Sequence, residues 1–114
     1  MLKIFLRNSG VIKRFKVKIT ASAQSDIGII WDYISQSNPS NALVFISEIE
    51  KRIYALSVFP ERNPIIPEGE FFQIDAYRHL IHKNYRIVYR IQADCVYILR
   101  IIHGSKLLDL DSLW

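Results

Sequence analysis

From Tyr77 to Lys106 apolar residues alternate with polar or basic ones at a period of two, and two polar interruptions, His82-Lys83-Asn84 and Gln92-Ala93-Asp94, divide the run into three pieces. A period of two puts successive side chains on opposite faces, so the stretch predicts a three-stranded antiparallel meander. Upstream the period lengthens. Ala23, Ile27, Ile30, Trp31 and Ile34 fall on one helical stripe, with Thr20 placed to cap a helix beginning at Ala21 and Asp26 near its positive end. Asn38-Pro39 is a second start signal, the Asn as cap and the Pro at the first helical position. Ala42, Phe45, Ile46, Ile49, Ile53 and Leu56 then form a second stripe that Phe59-Pro60 ends. So short a link predicts an antiparallel helical hairpin. Trp31 and the isoleucines read as core at this spacing rather than as a ligand pocket. Gly28 lowers helix propensity and suggests a close approach by a neighbouring element.

Phe15-Lys16-Val17-Lys18-Ile19 alternates cleanly and predicts a strand before the first helix. Met1 to Leu6 also reads as extended, and Asn8-Ser9-Gly10 is a turn signal, so the first dozen residues are either a hairpin partner or a basic arm. Pro60 to Gly69 is a loop by composition, and Glu68 and Glu70 read as solvated. Leu107 to Trp114 forms either one short helical turn or an extended docked tail. The fold class is therefore α+β: an N-terminal strand, a helical hairpin, a three-stranded meander and a short tail.

Strand parity decides which side chains share a face. With Ala93-Asp94 as a two-residue turn, one face collects Tyr85, Ile87, Tyr89, Ile91, Val96, Ile98, Arg100 and Ile102 and reads as core. The other collects Arg86, Val88, Arg90, Tyr97, Leu99, Ile101 and His103, a mixed set suited to a partly solvated surface. A three-residue link at His82 to Asn84 puts Arg78 on the face of Arg86; a two-residue link separates them.

A chain of 114 residues fits one domain over 1–114. The net charge of +4 is segregated: residues 1–18 carry Lys3, Arg7, Lys13, Arg14, Lys16 and Lys18 without an acid, the middle is acidic, and the meander is basic again. Such asymmetry points to a nucleic acid or an acidic protein as partner, against the alternative that solubility set the balance. The lone Cys95 makes no internal disulfide, reads as a small packing residue, and suits a reducing compartment. With no apolar run of membrane-spanning length and no signal-peptide pattern, a cytoplasmic protein without membrane contact is expected.

The chain lacks a Gly-rich phosphate loop, a Gly-x-Ser-x-Gly motif and any His/Cys set at metal-ligand spacing, so neither cofactor nor metal is expected. His79 and His82 should point to different faces. One chemistry needs neither metal nor protein nucleophile: RNA cleavage by the substrate's own 2′-hydroxyl, assisted by a base, an acid and cations around the phosphate. Arg78 and Arg86 would supply the cations and His103 the acid or base, against the plainer alternative of ion-paired or solvated strand residues.

The run from Arg78 through Tyr85-Arg86-Ile87-Val88-Tyr89-Arg90-Ile91 to His103-Gly104 resembles the C-terminal half of the RelE/ParE superfamily of toxins from bacterial type II toxin–antitoxin modules. Thr20, Ala23, Asp26, Ile30, Tyr33 and Ile34 resemble its first helix, and Leu56 to Pro60 the end of its second, so the likeness spans residues 16–106. The resemblance implies a compact α+β toxin wrapped by a cognate antitoxin in a hetero-oligomer. RelE-like members cleave mRNA on the ribosome and ParE-like members inhibit DNA gyrase. The Tyr-Arg-Ile-x-Tyr-Arg-Ile pattern and the His-Gly ending look more like the ParE, plasmid-stabilisation branch. Ser105-Lys106 replaces the arginine that often follows His-Gly, and the basic extension over residues 1–15 is atypical. The leading expectation is a ParE-like binding toxin whose target-facing residues are Arg78, Arg86, Arg90, His103 and Lys106. The alternatives are a RelE-like ribosome-dependent endoribonuclease using Arg78, Arg86 and His103, or an inactive member that binds only its antitoxin and a promoter.

Overall fold

The computed structural model describes residues 12–113; the expectations for Met1 to Leu6 and the turn after it lie outside these residues. The chain runs β1 (Lys16–Ile19), α1 (Ala21–Ser35), α2 (Pro39–Tyr54), α3 (Pro67–Phe72), β2 (Tyr77–His82), β3 (Tyr85–Gln92) and β4 (Cys95–His103), with single 3₁₀ turns at Ala55–Ser57, Pro60–Arg62 and Leu110–Ser112. The meander is antiparallel as expected, and β1 joins it as a fourth strand, parallel to β4, in the order β1-β4-β3-β2.

Capping explains how the chain turns from β1 into α1. Thr20 Oγ1 accepts the Ala23 N–H at 3.3 Å and donates to the Ile98 carbonyl at 2.8 Å, which fastens the helix start to the edge of β4 just where β1 stops. Asn38 caps α2 through its bond from the Asn41 N–H, 3.0 Å, with Pro39 at the first helical position. The helices, with the 3₁₀ turn that follows α2, bury Ala23, Ile30, Ile49, Ile53 and Leu56 against Ile87, Tyr89, Val96, Ile98 and Ile101 of the sheet. Two details of the helices differ from the sequence reading. Trp31 is 36% exposed rather than core, and a Cβ on Gly28 would meet nothing within 4 Å, so no element approaches it closely.

Both hairpins turn on two residues, with His82 facing Tyr85 and Gln92 facing Cys95; Lys83 and Ala93 take the left-handed conformation. The two-residue link separates Arg78, which pairs with Tyr89, from Arg86, which pairs with Ile81. On β4, Ile98 faces Tyr89 and Arg100 faces Val88, so Leu99 is an extra residue, a β-bulge. The bulge inverts the expected parity beyond it. Ile101 belongs to the helix-side core rather than the opposite face, Ile102 pairs with Arg86, and His103 pairs with Tyr85.

The opposite face is covered as well. Ile66, Tyr77, Val88, Leu99 and Leu113 are buried together, with Ala76, Tyr97, Leu108 and Leu110 packed against them. The tail therefore docks across this face with a 3₁₀ turn in it. The segment expected to be a plain loop also carries structure. Ile66 N–H bonds the Tyr77 carbonyl at 3.1 Å and His79 N–H bonds the Pro64 carbonyl at 3.2 Å, closing much of the outer edge of β2. Gly69 is required by packing, since a Cβ there would sit 2.3 Å from the Ile74 carbonyl oxygen.

Candidate functional site

Arg86 organises the tail-covered face. Its side chain is 4% exposed, and its Nη1 donates to Glu68 Oε1 at 3.0 Å while Nη2 donates to Glu68 Oε2 and, at 2.8 Å, to the Lys106 carbonyl. Glu68 Oε2 also accepts the Leu108 N–H at 3.0 Å. One guanidinium thus holds α3 and both sides of the peptide run that leaves β4, the bidentate geometry for which Arg is suited. Glu68 is a correction to the sequence reading: it is a largely enclosed ion-pair partner, not a solvated acid. The hydrogen bonds from Arg86 hold its carboxyl down to about 2, against an ordinary value of 4.5, with the Leu108 N–H adding to the effect and burial opposing it. His79 Nδ1 lies 3.4 Å from Arg86 Nη1, and burial, then the nearby guanidinium, push the imidazole below its usual range.

His103 and Lys106 stand at the end of β4 beside this clamp. Both are exposed, the Lys106 N–H donates to the His103 carbonyl at 3.0 Å, and His103 Nδ1 lies 2.8 Å from Ser105 Oγ with its ring edge-on to Tyr85. Lys106 lines two open cavities. One, about 560 Å³, is lined by Pro67, Glu68, Phe71, Phe72, Arg86 and Leu107 among others. The second, about 470 Å³, lies against α1 and includes Asp26, Ile29, Tyr33, Arg100 and His103. Arg100 bonds Asp26 through Nε at 2.7 Å and Nη2 at 3.0 Å, and the same carboxylate accepts the Ile101 N–H at 2.8 Å. Asp26 thereby continues the edge pairing of β4 after β1 has ended.

Arg78 and Arg90 lie apart from this end. Arg78 donates to the carbonyls of Glu61, 3.1 Å, and Asn63, 2.6 Å, and Tyr89 on the same face bonds the Pro60 carbonyl at 2.5 Å. Arg90 lies 5.8 Å from the ring centroid of Tyr77. The structure thus brings Arg86, His103 and Lys106 to one end of the sheet and leaves Arg78 and Arg90 elsewhere. Glu68, Phe71 and Phe72 were missed from sequence, yet Pro67-Glu68 is a helix-start signal of the kind seen at Asn38-Pro39. His79 and His82 do face opposite sides, pairing with Val88 and Tyr85. Among the described residues no group of three His, Cys, Asp or Glu is placed to hold a metal ion, and no helix is long and apolar enough to cross a membrane.

This strand–hairpin–meander architecture is that of the toxins in bacterial toxin–antitoxin modules. It is similar to a chain of the chromosomal ParDE toxin–antitoxin system of P. aeruginosa, at 21% identity and a TM-score of 0.67, covering 82% of this chain and 99% of that one. It is also similar to a chain of the RelBE2 toxin–antitoxin complex of Mycobacterium tuberculosis, at 21% identity and a TM-score of 0.54, covering 82% and 94%. No curated protein matches the chain. Residues 17–108 match the family described as the ParE toxin of the type II toxin–antitoxin system parDE, and the chain belongs to that family.

Proposed function

We propose that this ParE-family toxin arrests growth by occupying a protein target, DNA gyrase, and that a cognate antitoxin holds it inactive. The observation that carries the binding reading over RNA cleavage is the state of Arg86. Phosphoryl chemistry requires cations converging on one phosphorus, whereas this guanidinium is buried and already ion-paired with Glu68. Arg78, the other expected cation, is on the other side of the sheet and bonded to loop carbonyls. In this reading His103 and Lys106 touch the target, Arg86 fixes the backbone that presents Lys106, and Arg78 and Arg90 support the sheet behind them.

Exposed apolar side chains at the same end supply the antitoxin's footing. Phe71 is 79% exposed and Leu107 87%, with Phe72, Ile29 and Tyr33 nearby in the walls of the two cavities. Side chains of this size in a cluster are normally covered by a partner. Regulated expression tests the reading: the wild-type chain should stop growth, and co-expression of the neighbouring antitoxin should restore it. A His103→Ala/Lys106→Ala variant should permit growth while keeping the wild-type melting temperature, since neither side chain is buried. Equal arrest by that variant would remove these residues from the target surface.

A further inference from the structure

A second charged surface lies at the opposite end of the sheet. Lys13, Arg14, Lys16 and Lys18 are all exposed, and among the described residues none has an acidic partner within ion-pair distance. Lys16 and Lys18 are two apart on edge strand β1, so they project from the same face. Register extends that line across the sheet: Lys18 faces Tyr97, Tyr97 faces Arg90, and Arg90 faces Tyr77. Cations and tyrosines therefore alternate in a single cross-strand row. The Lys18 Nζ lies 6.0 Å from the Tyr97 ring centroid, and the Arg90 guanidinium carbon 5.8 Å from that of Tyr77. Tyr97 is half-buried against the tail-side core and Tyr77 and Phe15 are buried, so the open groups of this surface are the cations, with the Lys13 ammonium 4.7 Å from the Phe15 ring. Across the sheet Asp94 is adjacent, its carbonyl accepting the Lys16 N–H at 2.8 Å; Asp109 and Asp111 stand on the tail.

We propose that this edge binds nucleic acid through its phosphate backbone. Exposed cations spaced two apart along an edge strand, with two more just ahead of it, match the regular line of phosphates in a nucleic acid better than they match scattered carboxylates. Residues 1–18 contain six basic side chains and no acid, and Lys13, Arg14, Lys16 and Lys18 are the four of them that the structure describes. Lys13, Arg14 and Lys16 precede residue 17, where the family match begins, and Lys18 lies just inside it. Tyr97 and His103 are six residues apart on β4, roughly 20 Å at about 3.3 Å per residue. Nucleic acid can thus be held without covering the His103–Lys106 end, and the proposal is independent of the target named above.

The test is fluorescence anisotropy on the purified full-length chain with a labelled 20-nucleotide single strand and the corresponding 20-base-pair duplex, at salt from 50 to 300 mM. Both probes should bind regardless of sequence, and for the duplex log K should fall with log[salt] at a slope of about −3 to −4, as expected for about four phosphate contacts. Lys13→Gln/Arg14→Gln/Lys16→Gln/Lys18→Gln should weaken binding at 50 mM salt at least tenfold and flatten the slope, whereas His103→Ala/Lys106→Ala should leave both unchanged. The single substitution Lys18→Glu, checked for an unaltered melt, should weaken binding about threefold or more. Three results would each overturn the proposal: no binding by the wild type at 50 mM salt, equal binding by the quadruple and wild-type chains, or displacement of the probe by polyglutamate as effectively, charge for charge, as by unlabelled oligonucleotide.

Discussion

Replacing Glu68 by Gln keeps the size of the side chain but removes the charge that compensates Arg86. The guanidinium remains 4% exposed beneath α3 and the tail, and its Nε is already buried without a hydrogen-bond partner. Stranding a buried charge in this way costs about 3–5 kcal/mol. For a domain of this size that loss lowers Tm by at least about 12 °C. The pH dependence gives a second reading of the same contact. The folded-state pKa of Glu68 is depressed to about 2 from 4.5, so its contribution is fully present above pH 4.5 and is lost as the pH falls through 2. That contribution is about 3 kcal/mol. The Glu68→Gln chain should lack this part of the acid slope. Thermal and urea unfolding at pH 7, 4 and 2.5, followed by circular dichroism, measure both quantities. Glu68→Leu/Arg86→Met should recover most of the loss, because removing both partners leaves no orphaned charge. A Glu68→Gln melt within about 4 °C of wild type at pH 7 would refute the reasoning, since the pair would then contribute no more than an exposed ion pair.

Other substitutions address separate parts of the fold. Asp26→Ala leaves the Ile101 N–H and Arg100 without their shared acceptor and should cost about 2–3 kcal/mol in urea unfolding. Gly69→Ala forces a Cβ against the Ile74 carbonyl and should lower stability by about 1–3 kcal/mol, read as a shift in the urea midpoint at unchanged m-value. Truncation after Lys106 removes Leu108, Leu110 and Leu113 from the second core, so the shortened chain should bind a hydrophobic dye and melt well below the full chain.

The helices and hairpins were legible because their signals are local. Thr20 and Asn38-Pro39 mark the helix starts, and Gln92 to Cys95 sets the β3–β4 register. Three features were not, and each depends on contacts distant in sequence. The bulge at Leu99 arises from pairing across two strands, and it exchanges the faces of Ile101 and Ile102 without changing the alternation that the sequence displays. The parallel addition of β1 depends on the hairpin returning the chain to the edge of β4. Glu68 finds Arg86 only once α3 forms and the tail crosses above it, so an acid in a Pro-rich stretch gives no local sign of burial. Of the expected site, His103 and Lys106 came together because both follow from the end of β4, while the separation of Arg78 from Arg86 turned on a single residue in the β2–β3 link.

The most direct test of the binding-toxin account is a supercoiling assay in which the purified chain is titrated into DNA gyrase with relaxed plasmid. The account predicts dose-dependent loss of supercoiling by the wild-type chain, reversal by the antitoxin, and full activity with His103→Ala/Lys106→Ala. Undiminished supercoiling at a tenfold excess of a chain that still arrests growth, with mRNA cut on the ribosome, would contradict it.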